Sequence, residues 1–446
     1  MTAKAFVGDV IGQGTSGAAL VSQLNIDHGL HTYFRGSAEE IYYGGVRCEY
    51  FAYQDDIGKP SAGVREAQAG NIKMADMFRV KGLEAHPDKT CFIIFGSKKY
   101  KDTTMRQLEI NPLHLGDFPV QQRDSDRYLG HILHTDGVRA SCSATIADRE
   151  GKIKGANFEV QSIVETFKMQ AIWGMMAAWE LWEKAMLPSL LSGAGTWMGI
   201  TSTEEDKLDR IQDLFWRVML RVPESCPKVA LRAETRMISM KQRIWQEKLL
   251  LMRRIKSQSM ETLSRKILEE QKYHNWPGLS REVSDICEKI GISDLNDGDI
   301  PVAAIKKAVF NHHYLELKEQ LAKSKKMTNH KEDDFTQIQP YMKWKSVDQC
   351  RMAFRVRSEM VDEIRGNFKD KYRRTGGEAA LACQVCPSGL IETQSHCVQC
   401  PKWQDLRLGL ELNKIEDLVT FFQRLLNEKV KGRTGSRRAA QRFSTD

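Results

Sequence analysis

The sequence predicts an α+β fold, and three observations carry that expectation. Short aromatic and β-branched runs alternate with turn signals over the first 135 residues. Helical periodicity takes over from about Phe158 to Lys256, and four of the ten cysteines crowd between Cys383 and Cys400. At roughly 150 residues per domain, a chain of 446 residues suggests about three domains. Hydrophobic residues make up 41% and charged residues 28%, the balance of a globular protein that can bury cores. No stretch offers the eighteen or so uncharged apolar residues of a membrane span. The nearest, residues 171–187, is cut by Glu180, Glu183 and Lys184. The first residues lack a basic segment followed by an apolar run, so neither a membrane protein nor a secreted one is expected. That leaves an intracellular place, nucleus and cytoplasm, as the expectation. A formal charge of +8 permits polyanion binding without demanding it.

Each element follows from local chemistry. Ile41-Tyr42-Tyr43 and the run Val46–Tyr53 have strand composition, and Gly44-Gly45 between them reads as a turn. Residues 62–80 read as a helix with Val64, Ala67, Ala75 and Phe78 toward the core. Residues 91–95 form a compact apolar run closed by Gly96, as a buried strand would be. Further on, Leu208, Ile211, Leu214, Phe215, Val218 and Met219 fall on one helical face. Ser202 and Glu205 have capping-box spacing at its start. Trp173, Trp179 and Trp182 lie among methionines, a stripe better read as packed core than as a ligand pocket. Residues 324–334 are charged and poor in apolar side chains, as a solvated linker is. A helix is expected over about 348–372. The last eighteen residues set Lys429, Lys431, Arg433, Arg437, Arg438 and Arg442 against Asp446 alone, so a disordered basic tail is expected.

Candidate chemistry first shows at Tyr53-Gln54-Asp55-Asp56. Adjacent aspartates are common, and Asp333-Asp334 in the linker needs no functional account. Asp55-Asp56 differs because it follows an aromatic strand, which would hold both carboxylates at a hairpin tip. Paired carboxylates there suit Mg²⁺, a hard cation that takes oxygen ligands; a polar turn without metal is the plainer alternative. Upstream lies the small-residue loop Gly12-Gln13-Gly14. Downstream come Lys81-Gly82-Leu83 through Lys89, the apolar run 91–95, and Tyr128-Leu129-Gly130.

In that order these segments resemble the later palm motifs of the reverse transcriptases of non-LTR (LINE-like) retrotransposons. There a Gly-Gln-Gly segment is motif B, the aromatic-x-Asp-Asp turn motif C, the Gly-Leu…Lys segment motif D, and Tyr-Leu-Gly motif E. The resemblance implies an RNA-directed DNA polymerase that copies an RNA template from a DNA primer or target using dNTPs and Mg²⁺. Asp55 would bind metal and Asp56 assist. Gly12 and Gly14 would let the backbone approach template or nucleotide, with Gln13 and Tyr53 lining that place. Lys89 would neutralise phosphate charge or protonate the leaving pyrophosphate. Tyr128-Leu129-Gly130 would open a hairpin supporting the primer. One departure is large. Motif A, the strand with the other essential aspartate, precedes motif B in this family, yet only eleven residues precede Gly12 and their one acid is Asp9. Pro60 also weakens the return strand after Asp56.

The second candidate site is Cys383-x₂-Cys386, followed after nine residues by His396 and after three more by Cys400. Two thiolates two residues apart can chelate one Zn²⁺, and a histidine and a further thiolate complete a tetrahedron. Cys397-x₂-Cys400 is a rival pair, and spacing leaves His396 and Cys397 open. The resemblance favours His396, because Cys-Cys-His-Cys zinc knuckles follow the polymerase in many non-LTR elements. Four residues usually separate the histidine from the last cysteine there, one more than here. His131 with His134 and the pair His312-His313 lack a third ligand nearby and read as ordinary histidines.

The expected organisation is thus a partial palm over 1–135 and a helical thumb and connection over 136–323. A polar linker (324–347), a helix plus zinc knuckle (348–411), and a C-terminal helix with basic tail (412–446) follow. No membrane and no specific protein partner is implied. The alternative is a non-catalytic remnant that binds nucleic acid through thumb, knuckle and tail. With part of the carboxylate set missing from this stretch, the chain by itself is expected not to extend a primer. Mg²⁺-dependent extension abolished by Asp55→Asn would overturn that expectation.

Overall fold

The structure is a computed structural model that describes residues 41–48, 50–53, 56–168, 174–292, 300–324, 335–361, 364–383 and 385–442. It is a mixed α+β fold, mostly helical with small sheets. The Gly12-Gln13-Gly14 loop, Gln54, Asp55, Trp173 and Asp333-Asp334 lie outside the described residues. The described parts fall into two compact units. One takes in residues up to 149 with 191–205 and 244–308, the other 150–190, 206–243 and 309 onward.

In the first unit, β1 (Ile41–Tyr43) and β2 (Val46–Cys48) form a hairpin in which Tyr43 pairs with Val46 across Gly44-Gly45. Gly44 adopts φ 62°, the left-handed conformation such a turn requires, and an added Cβ would collide with the Glu270 carboxylate. The run expected as one strand over 46–53 is therefore two, since β3 (Phe51–Tyr53) turns into its own hairpin with β4 (Asp56–Gly58). β4 ends two residues short of Pro60, as proline's missing N–H requires. α1 (Val64–Lys81) follows, closed by Gly82 at φ 67°. Its most buried side chains are Met74 and Met77, whereas the expected Val64, Ala67, Ala75 and Phe78 pack partly buried against the adjoining clusters.

β5 (Cys91–Phe92) pairs in parallel with β8 (Gln121–Gln122), beyond α2 (Lys98–Ile110) and the short hairpin of β6 (His114–Leu115) and β7 (Phe118–Pro119). The strand expected over 91–95 stops at Phe92, where its partner β8 ends, and beyond it the Thr135 hydroxyl donates to the Ile94 carbonyl. Ile94 itself packs with Leu108 and Leu113. β9 (Ser125–Tyr128) and β10 (His131–His134) form a four-residue hairpin. Leu129 and Gly130, both at positive φ (48° and 76°), make its two-residue turn. The described strands form five two-stranded ladders rather than one continuous antiparallel sheet.

The remaining elements are helical: α3 (Val138–Lys168), α4 (Met175–Leu181), α5 (Leu187–Leu190), α6 (Ser202–Leu220), α7 (Lys228–Thr235), α8 (Met240–Lys256), α9 (Leu263–Tyr273), α10 (Leu279–Ile290) and α11 (Val302–Lys323). The cap of α6 sits one residue before the expected Ser202 and Glu205. Thr201 donates its N–H and hydroxyl to the Glu204 carboxylate at 2.8 and 2.9 Å. Its buried face holds Leu208, Ile211, Phe215 and Met219 as expected. Leu214, however, is 39% exposed, and Trp216 lies inside in its place. In the second unit Trp182 is wholly buried in a π-turn (Trp182–Met186), its ring 4.9 Å from Phe215. Trp179 donates to the Thr235 carbonyl at 3.2 Å, so both tryptophans belong to packed core. No helix among the described residues is long and apolar enough to cross a membrane.

The helix expected over 348–372 breaks. α12 (Val347–Arg357) ends where Ser358 donates back to the Phe354 carbonyl and Glu359 turns to φ 55°. Past the break Met360, Val361 and Ile364 enter the interior, all with no exposed surface. α13 (Lys369–Gly376) and α14 (Gln394–Gln399) follow. α15 (Ile415–Arg442) runs through most of the stretch expected as a disordered tail.

The second unit is pinned by Glu234 of α7. Its carboxylate has no exposed surface, accepts from the Arg357 Nε at 2.8 and 3.0 Å, and accepts from the Tyr341 hydroxyl at 2.8 Å. Removing one partner of such a buried pair strands the other charge. Glu234→Ala should therefore cost about 3–5 kcal/mol, read as a lowered urea midpoint. A loss below about 1 kcal/mol would show the contact to be incidental.

Candidate metal centre

The structure brings Cys383, Cys386, His396 and Cys400 together, with one ligand atom from each lying within 4.8 Å of all the others. A tetrahedral zinc with Zn–S near 2.3 Å and Zn–N near 2.0 Å sets ligand separations of about 3.5–3.8 Å, so slight contraction closes the sphere. The Cys386 sulfur already stands 3.4 Å from His396 Nε2. Such a Cys₃His cluster can bind a metal ion such as zinc. Cys383 and Cys400 are buried, while Cys386 and His396 are half-buried, so one side of the centre is open to solvent.

Local folding explains how four distant side chains meet. Leu381–Cys383 and Leu390–Glu392 lie antiparallel through Cys383 N–H to Leu390 O and Glu392 N–H to Leu381 O, both 2.8 Å. Pro387 and Ser388 turn the chain between them, and Gly389 supplies φ 66°. The Thr393 hydroxyl caps α14 by accepting from His396 N–H at 3.1 Å. His396 and Cys400 stand four residues apart across one helical turn, tied by Cys400 N–H to His396 O at 2.7 Å. The three-residue gap that departs from the knuckle pattern is therefore the natural spacing for one helix face.

The same geometry removes Cys397 from the ligand set. One residue on, it is rotated about 100° around the helix and packs, fully buried, with Val361, Ile364, Phe421, Phe422 and Leu425. Burial, then Glu392, pushes its thiol up to about 12. Burial likewise pushes Cys400 up to about 11. Cys386 moves the other way, down to about 6, chiefly through the Ser388 hydroxyl 3.0 Å away.

Several supports were not visible in the spacing. Glu392 has 2% exposure and is paired with Lys429 of α15. Gly366 N–H donates to Glu392 O at 2.7 Å, and a Cβ at Gly366 would lie 2.7 Å from that same oxygen, so only glycine allows the approach. Gln394 ties the helix start to the Val356 carbonyl (2.8 Å) and to Asn367 (3.1 Å). Only Thr393, three residues before His396, carried a readable capping signal.

The other candidate residues are placed less completely. Tyr53 pairs with Asp56 across the β3–β4 hairpin, and Asp56 is exposed. Lys89 is exposed in a short 3₁₀ turn (Pro87–Lys89). Tyr128 reaches this region: its hydroxyl donates to Phe51 O at 3.3 Å, and burial, then the Asp56 charge, raises its pKa. Among the described residues no group of three potential metal ligands includes Asp56. His131 and His134 lie on β10, and His313 is buried in α11. None of them joins a metal-ligand group among the described residues.

Neither the protein-family models nor the curated proteins compared with this chain contain a match.

Metal analysis should find one ion per chain, reduced by Cys386→Ser or His396→Ala but unchanged by Cys397→Ala. Because protons compete for the high-pKa Cys400 thiol, affinity should fall as pH falls. Equal metal loss in the Cys397 variant would overturn the assignment.

Proposed function

We propose that the chain is a segment of a non-LTR retrotransposon reverse transcriptase that holds nucleic acid, with its Cys₃His centre filled by zinc. One observation supports the polymerase reading above the others. The Tyr53–Asp56 hairpin and the Tyr128–His131 hairpin meet in the first unit through the Tyr128 hydroxyl and Phe51 carbonyl. A template-copying enzyme needs this adjacency, because the primer end must be supported beside the acidic turn. In that role Asp55 and Asp56 would serve the reacting phosphates, Lys89 would offset their charge, and Gly12, Gln13 and Gly14 would serve the template.

Zinc would be held by Cys383, Cys386, His396 and Cys400, where it supplies cross-linking rather than chemistry, since all four positions are taken by protein. On the order of 10 kcal/mol of folding energy then depends on the ion. The second reading is the non-catalytic one, in which the thumb, the knuckle and the basic tail would bind nucleic acid with no polymerisation. It is favoured by one specific observation: the described residues assemble ligands for a soft, thiolate-bound metal.

Both readings require a nucleic-acid interface, and the non-catalytic one makes it depend on the metal. In fluorescence anisotropy, the zinc-loaded chain should bind a DNA primer annealed to an RNA template, and affinity should fall steeply with salt. Cys383→Ser with Cys386→Ser should weaken that binding. A zinc-loaded chain with no affinity at 50 mM salt would overturn both readings.

A further inference from the structure

The first unit carries an aromatic surface that its core does not explain. At the end of α9, Tyr273 is 83% exposed and stands edge-on to His274, with centroids 4.8 Å apart at 84°. His274 stacks flat on Trp276 at 4.5 Å and 16°. Trp276 also meets the edge of Tyr43 from the β1–β2 hairpin at 5.0 Å, and the neighbouring Tyr42 is 58% exposed. Between the two rings that flank it in sequence, Asn275 takes φ 51°, the left-handed conformation that turns the chain after α9. Beside Trp276 opens a cleft of about 240 Å³ whose walls include Lys272, Asn275, Ser280, Arg281, Ser284 and the acidic Asp285.

Each component has a plain reading alone, since exposed tyrosines occur singly on any surface. Together they combine three features: a cluster of contiguous rings of which one pair is stacked flat, a neighbouring cleft of polar side chains, and two cations beside one carboxylate in that cleft. Unpaired nucleotides require that combination. Bases stack on aromatic faces whatever their identity, and lysine and arginine hold the phosphates between them. The cleft has room for one base beside the indole, with amide and hydroxyl groups along its edge. Paired strands keep their bases stacked on one another and cannot use the rings.

We propose that Tyr273, His274 and Trp276, with Lys272 and Arg281, form a stacking site for a single-stranded stretch of nucleic acid. This rests on the nucleic-acid reading above but on none of the residues that carry it. Tyr273 supplies the outermost ring, Trp276 the inner wall, and Arg281 a phosphate contact.

The test uses the full zinc-loaded chain and two fluorescein-labelled probes of equal length, an unpaired RNA oligonucleotide and a blunt RNA duplex. Tyr273→Ala should weaken binding of the single strand about fivefold or more, as removal of one stacked base platform does. Tyr273→Phe should retain it, and the duplex should be unaffected by either change. Arg281→Gln should lower the salt slope for the single strand by about one. Single-strand binding unchanged in Tyr273→Ala, or weakened equally for both probes, would overturn this site while leaving the knuckle reading standing. Loss of single-strand binding in the Cys383→Ser, Cys386→Ser chain alone, with Tyr273→Ala like the parent, would do the same. A parent chain that binds neither probe would remove both.

Discussion

The carboxylate of Glu234 is the constraint on which the second unit is organised. A charge with no exposed surface is tolerable only if its partners are held in place. Arg357 and Tyr341 meet that demand, and in doing so they fix α12 and the turn before it against α7. The other face of α12 carries Val356, which belongs to the same cluster as Cys397, Phe421 and Phe422. From there the path to the metal centre is short, because the Val356 carbonyl also accepts from Gln394 at the start of α14. One buried ion pair thus sets the wall against which the ligand-bearing helix rests.

The metal centre follows a similar division of labour between specification and support. The four ligand side chains set which ion is accepted. Groups that never touch the ion decide whether those side chains meet: the Thr393 cap, the Gly366 contact, and the Glu392–Lys429 pair. Cys397 shows how strict the arrangement is. It has the right chemistry and sits next to a ligand, yet its helical rotation commits it to the apolar core.

Local features were legible in the sequence wherever the deciding interaction is itself local. Gly44-Gly45 turns where glycine's backbone freedom permits, and Cys383 and Cys386 are brought together by their two-residue spacing. The cap of α6 was misplaced by one residue because Thr201 and Ser202 offer the same hydroxyl chemistry, and each has a glutamate three residues on. The break after Arg357 was illegible for a different reason. Residues 348–372 keep a passable helical pattern, and only the distant cluster under Phe421 and Phe422 rewards turning Val361 and Ile364 inward. Leu214 and Trp216 exchange places for the same reason, since which flank of an apolar arc is covered depends on what packs there.

The contact between Gly366 and Glu392 bears on portability. A peptide spanning 380–405 would contain all four ligands, but not Gly366, the Val356 carbonyl that receives Gln394, or Lys429. Glu392 would then face water, and Cys397 would have no interior to enter. This knuckle is therefore unlike a bead that can be strung onto another chain. Its floor comes from sequence on both sides, and transplanting it means moving residues from α12 through α15 as a single inheritance.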